Sequence, residues 1–304
     1  MPHFDLVNVR TRLTATLLGA AGVLVAAGSA VAQEAKTSSG WLVTHFSQVR
    51  MIAATEGAAG DGTLRIGFHA RLDPGWHLYW RTPGETGLPT QFDFAASKNV
   101  RDVAIDWPAP TRASLLGYNA WVYSDEVVLP MTVSVVDPSK PVRIEAAGVY
   151  AICKDICTFH NETFVLDLPA PSTTQTPYAP LIARFDARVP SREKGGALDV
   201  ARISTTADRV TLEVTSATPL GDIDAAVEGP IELAFGAPTV TYGAARRSAV
   251  MEIPMELVGS KRPSRMDLVV TVMDGDRAIE QRRVLSSAPY KPGRGRVESP
   301  PVRP

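Results

Sequence analysis

Cys153 and Cys157 are the only cysteines in the 304-residue sequence, and they stand four positions apart. Two thiols this close can form a reversible disulfide, which exchanges electrons when a partner thiolate attacks one of its sulfurs. A bridge that closes so short a loop constrains the unfolded chain little, so stabilisation is a weak explanation for it. The spacing therefore favours redox chemistry over structural cross-linking.

The spacing also restricts the local structure of the pair. On a straight strand the two Cα atoms would lie about 13 Å apart, whereas a disulfide requires about 4.4 to 6.8 Å. A tight hairpin or one helical turn would bring the sulfurs together. The flanking stretches 149–152 and 163–168 have the composition of strands, so we predict a hairpin with Lys154, Asp155 and Ile156 as its turn. Asp155 is the residue expected to adopt a positive φ.

The neighbours of the pair leave its chemistry open. Lys154 would stabilise a thiolate, whereas Asp155 would oppose it. One alternative is an inert local bridge. Another is a copper(I) site formed by Cys153, Cys157 and His160, because copper(I) prefers thiolate ligands. Zinc would need a fourth ligand, and the sequence has no second cluster of Cys and His.

Other residues of chemical interest have simpler interpretations. Trp76, His77 and Trp80 lie in an aromatic segment and are interpreted as packing residues of a strand. His45 and His69 each stand alone and are interpreted as surface or hydrogen-bonded histidines. No nucleophile elbow and no phosphate-binding glycine loop is present.

The elements that must position the cysteines are predicted to be β-strands. Residues 41–168 form a first unit of short alternating or β-branched segments separated by Gly/Pro turns, the pattern of a β-sandwich. Its clearest strand-like segments are Leu64–Leu72, Trp76–Arg81, Val103–Trp107, Val127–Val136, Val142–Ile144 and Phe164–Leu168.

The second half of the chain predicts another β-sandwich. Residues 169–198 are interpreted as a Pro-rich linker with a short helix over Pro180–Arg188, and residues 287–304 as a disordered tail. Residues 199–286 are interpreted as the second sandwich, for packing or partner binding. Its predicted strands are Val210–Val214, Ile231–Phe235, Ala249–Met255 and Met266–Val272, the last joined through Asp274-Gly275 to Ala278–Leu285.

The N-terminal 32 residues predict a cleaved secretory signal. Arg10 and Arg12 precede an uncharged apolar run over Leu13–Ala27, and a small-x-small cleavage pattern ends at Ala32. The run is short for a membrane anchor, which needs about 20 residues. We therefore expect a soluble periplasmic protein. That compartment is oxidising, so the two thiols are expected to pair there.

Composition excludes one class of partner. The formal net charge is −1, with 45% hydrophobic and 21% charged residues, which is typical of a globular protein. The cations form no basic stripe, and nucleic-acid binding requires one. We predict no nucleic-acid partner and no cofactor.

Several motifs of the first unit form a recognisable set. They are Leu72–Thr90 (LDPGWHLYWRTPGETGLPT), Trp107–Pro110, Gly117-Tyr118, Val122-Tyr123, Glu126–Pro130 and Tyr150–Cys157 (YAICKDIC). Together they resemble the N-terminal domain of the thiol:disulfide interchange protein DsbD, in particular its ScsB-like branch. The resemblance spans about residues 41–168 and implies an immunoglobulin-like domain with an exposed Cys-x3-Cys pair.

The resemblance implies roles for particular residues. Cys153 and Cys157 would be the exchanging pair. A cap loop would shield them near Leu115, Leu116 and Tyr118.

Two tyrosines, Tyr79 and Tyr150, would lie near the pair as packing residues. Full-length members of the family also carry a transmembrane electron conduit and a thioredoxin-like domain, which are not found in this sequence. The resemblance therefore implies a separate thioredoxin-like or membrane thiol–disulfide protein as electron donor, and periplasmic thiol proteins as acceptors. Together these features predict an all-β protein with two immunoglobulin-like β-sandwich domains.

Overall fold

The computed structural model describes residues 36–115, 117–169, 171–258 and 261–286. The predicted signal peptide, the predicted tail after residue 286, and Leu116 lie outside the described residues.

The first part of the chain folds into eleven strands. They are β1 (Leu42–Val43), β2 (Ser47–Ala53), β3 (Thr63–Leu72), β4 (His77–Gly84), β5 (Gln91–Asp93), β6 (Val100–Ile105), β7 (Thr111–Leu115), β8 (Tyr118–Ser124), β9 (Glu126–Val135), β10 (Val142–Cys153) and β11 (Cys157–Leu168).

These strands form two antiparallel sheets packed face to face. The five-stranded sheet has the order β1-β2-β3-β9-β6, and the six-stranded sheet has the order β11-β10-β4-β8-β7 with β5 paired to β10. Their inner faces bury one apolar core that includes Phe68, Trp80, Ile144 and Tyr150. Successive side chains of a strand point to opposite faces, so every second side chain of the six-stranded sheet points away from this core. We call that opposite face of the sheet the outer face.

Helix α1 (Ala179–Asp186) follows the first sandwich. It begins with a proline in its first turn, where the missing N–H costs no helical hydrogen bond. Its buried residues Ile182 and Phe185 join the core of the first sandwich. Gly67 of β3 leaves room for the neighbouring strand β9, since a Cβ there would lie 2.5 Å from Cγ1 of Val128, whereas Ile182 of the helix would be in ordinary contact at 3.4 Å. Among the described residues, no helix has the length and apolarity needed to cross a membrane.

Eight further strands form the second sandwich. They are β12 (Leu198–Thr205), β13 (Arg209–Ser216), β14 (Asp224–Glu228), β15 (Leu233–Phe235), β16 (Thr239–Tyr242), β17 (Ser248–Leu257), β18 (Arg265–Asp274) and β19 (Arg277–Ser286). One sheet has the order β12-β13-β17-β15 with β16 paired to β17, and the other has the order β14-β18-β19.

Ionic and apolar contacts join the two sandwiches. Arg81 of β4 donates hydrogen bonds to Glu228 and Glu280 of the second sandwich. Arg112 of β7 forms two hydrogen bonds with Asp224, each 2.8 Å long. The second sandwich therefore holds two strands of the sheet that carries the cysteines.

The all-β fold class is confirmed, and the predicted strands are present with small shifts at their ends. Ile231 was placed in a strand, but β15 begins two residues later and Ile231 is 92% exposed. The hairpin of β7 and β8 was not predicted as strands, because its sequence mixes polar and small residues without clear alternation.

Candidate functional site

The two cysteines close a long hairpin of the six-stranded sheet. β10 and β11 pair in register up to Cys153 and Cys157. A disulfide joins this last pair, whose Cα atoms lie 4.2 Å apart. In the connection, the N–H of Lys154 donates a 3.0 Å hydrogen bond to the carbonyl of Ile156. The predicted hairpin is confirmed.

The predicted positive φ of Asp155 is wrong. Among the described non-glycine residues, positive φ occurs at Asn99, Asp125, Ala245 and Arg246. The prediction assumed a tight turn that needs one left-handed residue. Instead, the three residues of the connection reverse the direction of the chain without a left-handed residue, and the disulfide links the two strand ends.

Alternation along β10 separates the core from the site. Tyr150 and Ile152 are buried between the sheets, whereas Ala151 and Cys153 belong to a second apolar cluster on the outer face. Tyr150 was expected beside the pair, but its odd spacing from Cys153 places it on the opposite face. There its ring stacks on His160, with ring centroids 4.9 Å apart. Burial raises the pKa of Tyr150.

The outer-face cluster surrounds Cys153 with apolar side chains from four strands. Its buried members are Tyr79, Leu115, Ala120, Val122, Ala151 and Cys153, and Leu88, Ala113 and Cys157 pack against them. Low polarity around a disulfide excludes water and ions from one of its sulfurs. The cluster therefore covers Cys153 but leaves Cys157, which lies at its margin, partly accessible.

The two sulfurs differ in accessibility. Cys153 is 1% exposed, whereas Cys157 is half-buried. Beyond Cys157, Phe159 is 72% exposed on the same face, opposite Ala151 in the register. Ile156 in the connection is also exposed. A partner can therefore reach Cys157 before Cys153, and it would meet apolar surface beside it.

β7 and β8 pair to form what we call the cap hairpin, described over residues 111–115 and 117–124. Leu115, at the end of β7, is buried in the cluster with Cys153. Tyr118 was expected as a shield, but it is 55% exposed. It follows the turn and begins the returning strand. Of the three predicted cap residues, the structure brings Leu115 to the disulfide, and Leu116 is outside the described residues.

A second loop supports the cap hairpin. Glu85 accepts a 2.7 Å hydrogen bond from the N–H of Asn119, and its own N–H donates to the carbonyl of Asn119 at 3.0 Å. Two residues on, Gly87 has a φ of +110° and lies directly against the ring of Tyr79, where a Cβ would overlap it. This loop therefore fixes Tyr79, as well as the cap, beside the cysteines.

His77 was interpreted as a packing residue, but its place is on the outer face beside the pair. It is the register partner of Cys153 on one side and of Ser124 on the other. Its Nδ1 lies 2.9 Å from the Ser124 hydroxyl. The signal missing from the sequence was the pairing of β4 with β10, which joins segments far apart in the chain.

His160 does not lie with the cysteines. Its partner in the register is Tyr150, so it shares the face opposite the disulfide. Its Nε2 lies 2.9 Å from the Thr158 hydroxyl. Burial lowers the pKa of His160. The described residues contain no group of three His, Cys, Asp or Glu side chains arranged to hold a metal ion, so the geometry does not favour the copper alternative.

Lys154 and Asp155 are both exposed in the connection. The Lys154 side chain extends over the turn at Gly75, where a Cβ would be 3.1 Å from its Cε. Its ammonium therefore lies near the β3–β4 turn. Burial lowers the pKa of His77, and the charge of Lys154 contributes to the same shift.

The fold and the site together define a β-sandwich protein with a capped, partly accessible hairpin disulfide. Residues 48–169 match the family described as thiol:disulfide interchange protein DsbD, N-terminal, and the first sandwich belongs to this domain family. The predicted resemblance is thereby confirmed. Residues 188–288 match a domain of unknown function.

A solved structure shares the fold of both sandwiches. The crystal structure of the N-terminal periplasmic domain of ScsB from Proteus mirabilis matches with a TM-score of 0.69 and 20% sequence identity, over 83% of this chain and 100% of that chain. At this identity the likeness concerns the fold. No curated protein sequence matches the chain.

Proposed function

We propose that this protein is a periplasmic thiol–disulfide exchange module that passes electrons from a reductant partner to thiol proteins through Cys153 and Cys157. One observation carries the proposal: the disulfide joins a half-buried sulfur to an enclosed one beneath a cap. A bridge meant only to staple the hairpin would gain nothing from such a difference in access. Membership of the first sandwich in the DsbD N-terminal family supports the same function.

The exchange follows from the accessibility of the sulfurs. A donor thiolate attacks Sγ of Cys157, the bond between the cysteines breaks, and Cys153 leaves as a thiolate. A second donor thiolate then displaces Cys157, so the donor is oxidised and the pair is reduced. In the next half-cycle Cys157 attacks an acceptor disulfide, and Cys153 displaces the acceptor thiolate. Two electrons move in each half-cycle, and the pair returns to its disulfide.

We infer a periplasmic location and thiol–disulfide partners for this protein. The predicted signal sequence and the periplasmic origin of the ScsB domain with the same fold support export to the periplasm. The donor would be a thioredoxin-like or membrane thiol–disulfide protein, and the acceptors would be periplasmic thiol proteins. The exposed Phe159 and Ile156 offer apolar surface beside Cys157 for such partners. In enzyme terms this is a thiol:disulfide oxidoreductase.

The reduction potential of the pair tests the proposal. The protein would be equilibrated in dithiol redox buffers, alkylated, and analysed by mass spectrometry. An exchanging pair should have a potential above about −300 mV, whereas a structural disulfide lies below it. A variant with both Cys153→Ser and Cys157→Ser provides the control without a transition. A pair that stays oxidised well below about −300 mV would overturn the proposed function.

A further inference from the structure

We propose that His77 accepts the proton of the Cys153 thiol, so that Cys153 can displace a partner bound to Cys157. The inference rests on the proposed function and adds a residue to its mechanism. It is drawn from a row of four side chains that crosses the six-stranded sheet.

The row consists of Ser124, His77, Cys153 and Cys157, on the neighbouring strands β8, β4, β10 and β11. Each is the register partner of the next. Paired residues on adjacent strands project to the same face, with Cβ atoms about 4.5 to 5.5 Å apart. Leu78 and Ile152, one position along, are buried in the inner core. The side chains of His77 and Cys153 therefore project from paired, neighbouring positions on the outer face.

The ring of His77 is held from one side. Its Nδ1 lies 2.9 Å from the Ser124 hydroxyl. Nothing among the described residues forms a hydrogen bond with its Nε2. In a neutral imidazole one nitrogen donates and the other accepts. When Nδ1–H donates to Ser124, Nε2 keeps a lone pair that can accept a proton.

The surroundings keep this ring neutral. Burial lowers the pKa of His77, Asp125 raises it, and Lys154 lowers it again, with a net shift below the ordinary value. Ser124 contacts the ring from β8, the charges of Asp125 after β8 and of Lys154 in the hairpin connection act on it, and Cys153 is its register partner on β10. A neutral imidazole is the form that can take a proton.

The proton matters in the step that releases a partner. After Cys157 has formed a mixed disulfide, Cys153 is an enclosed thiol, and an apolar setting disfavours its thiolate. His77 takes the proton from Sγ of Cys153, and this sulfur attacks Sγ of Cys157. The bond between Cys157 and the partner breaks, and the partner leaves as a thiolate that takes its proton from water. The imidazolium then returns its proton to solvent.

Oxidised glutathione is a suitable probe, because it resolves the two steps. The reduced protein would be mixed with it, quenched with acid, and analysed by mass spectrometry for the glutathione adduct and the closed disulfide. Measurements would run from about pH 5.5 to about pH 9, which spans the ordinary pKa values of His and Cys. His160→Gln is the matched control, because His160 lies on the other face of the same hairpin.

His77→Gln should leave formation of the adduct unchanged and slow its closure by roughly a hundredfold near neutral pH. The difference from the wild type should disappear above the pKa of the thiol, where solvent supplies the thiolate. Ser124→Ala retains the imidazole and should slow closure less, with the shape of the pH profile retained. His160→Gln should follow the wild type.

Equal closure rates and profiles in wild type and His77→Gln would overturn the role of His77 while exchange itself stands. A wild-type protein that forms neither adduct nor closed disulfide would instead overturn the proposed function. If His77→Gln fails to fold, the Cys157→Ser variant provides the test. In this variant the alkylation rate of Cys153 should rise with pH and show an inflection where His77 titrates. Adding Ser124→Ala should shift that inflection. Absence of that inflection would also overturn the role.

Discussion

Leu115 and Cys153 pack in one small apolar cluster, although they lie on strands β7 and β10 at different positions in the sheet. The cluster is separate from the main core, which lies on the other side of the same sheet. Because the cluster is small, each of its apolar side chains covers a large part of the disulfide surface that would otherwise meet solvent.

Leu115→Ala should expose the disulfide. Removing a buried leucine side chain costs about 2 to 5 kcal/mol, and the low end is expected in so small a cluster. The native disulfide should react several-fold faster with a phosphine reductant, because the cap no longer covers Cys153. Stopped-flow measurement of thiol release under native conditions would check this.

Leu212→Ala in the second sandwich is the control. Leu212 is also buried, in the core of that sandwich. It should lower the free energy of unfolding without changing the reduction rate of the native protein. Equal acceleration in both variants would mean that reduction follows global unfolding and not the opening of a cap.

Gly87→Ala should disturb the loop that supports Tyr79. Gly87 has a φ of +110°, and a Cβ there would overlap the Tyr79 ring. A non-glycine residue in such a conformation costs about 1 to 3 kcal/mol before the overlap is counted. Gly117→Ala, at a φ of +85° with open space around its Cβ, carries the conformational cost alone. Thermal unfolding should therefore show a greater loss for Gly87→Ala, and an equal loss would contradict the contact.

Cys157 should be the sulfur that forms mixed disulfides. Cys153→Ser keeps the half-buried Cys157, whereas Cys157→Ser keeps the enclosed Cys153. Buried thiols are inert, so Cys157→Ser should react with oxidised glutathione more slowly, by roughly an order of magnitude. Mass spectrometry of the adducts would give both rates. Faster reaction at Cys153 would reverse the order of attack in the proposed cycle.

Glu126 should make the free energy of unfolding depend on pH in the acid range. Burial raises the pKa of Glu126, but hydrogen bonds from His69, Arg71 and Arg184 outweigh it and lower the pKa from 4.5 to about 2. A carboxylate with a depressed pKa stabilises the fold above its unfolded pKa, and the effect is lost as the pH falls through the folded value. The loss should therefore develop between about pH 4.5 and about pH 2.

Urea unfolding of Glu126→Gln against the wild type would measure this. The wild type should be the more stable at neutral pH, and the difference should shrink over that acid range. Glu193→Gln changes an exposed glutamate for which the described residues show no ion pair, and its difference from the wild type should stay flat. A difference for Glu126→Gln that does not change with pH would contradict the assigned contacts.

Local sequence patterns were enough to predict the all-β fold, the cysteine hairpin and helix α1. They succeed where the determining contacts are close in the chain, as for Cys153 and Cys157. His77 could not be assigned from the sequence, because its neighbours come from the pairing of β4 with β8 and β10. Nor could the exposure of Tyr118 be predicted, since it depends on where the cap hairpin turns.

Because β10 alternates between two environments, the distance along the strand from Tyr150 to Cys153 fixes which face receives the sulfur. Inserting one residue between them would turn the thiol toward the hydrophobic interior and place a core side chain in water. Inserting two would preserve the orientation. Among relatives of this domain, length changes in this stretch are therefore expected in even steps, and odd steps should accompany loss of the cysteine pair.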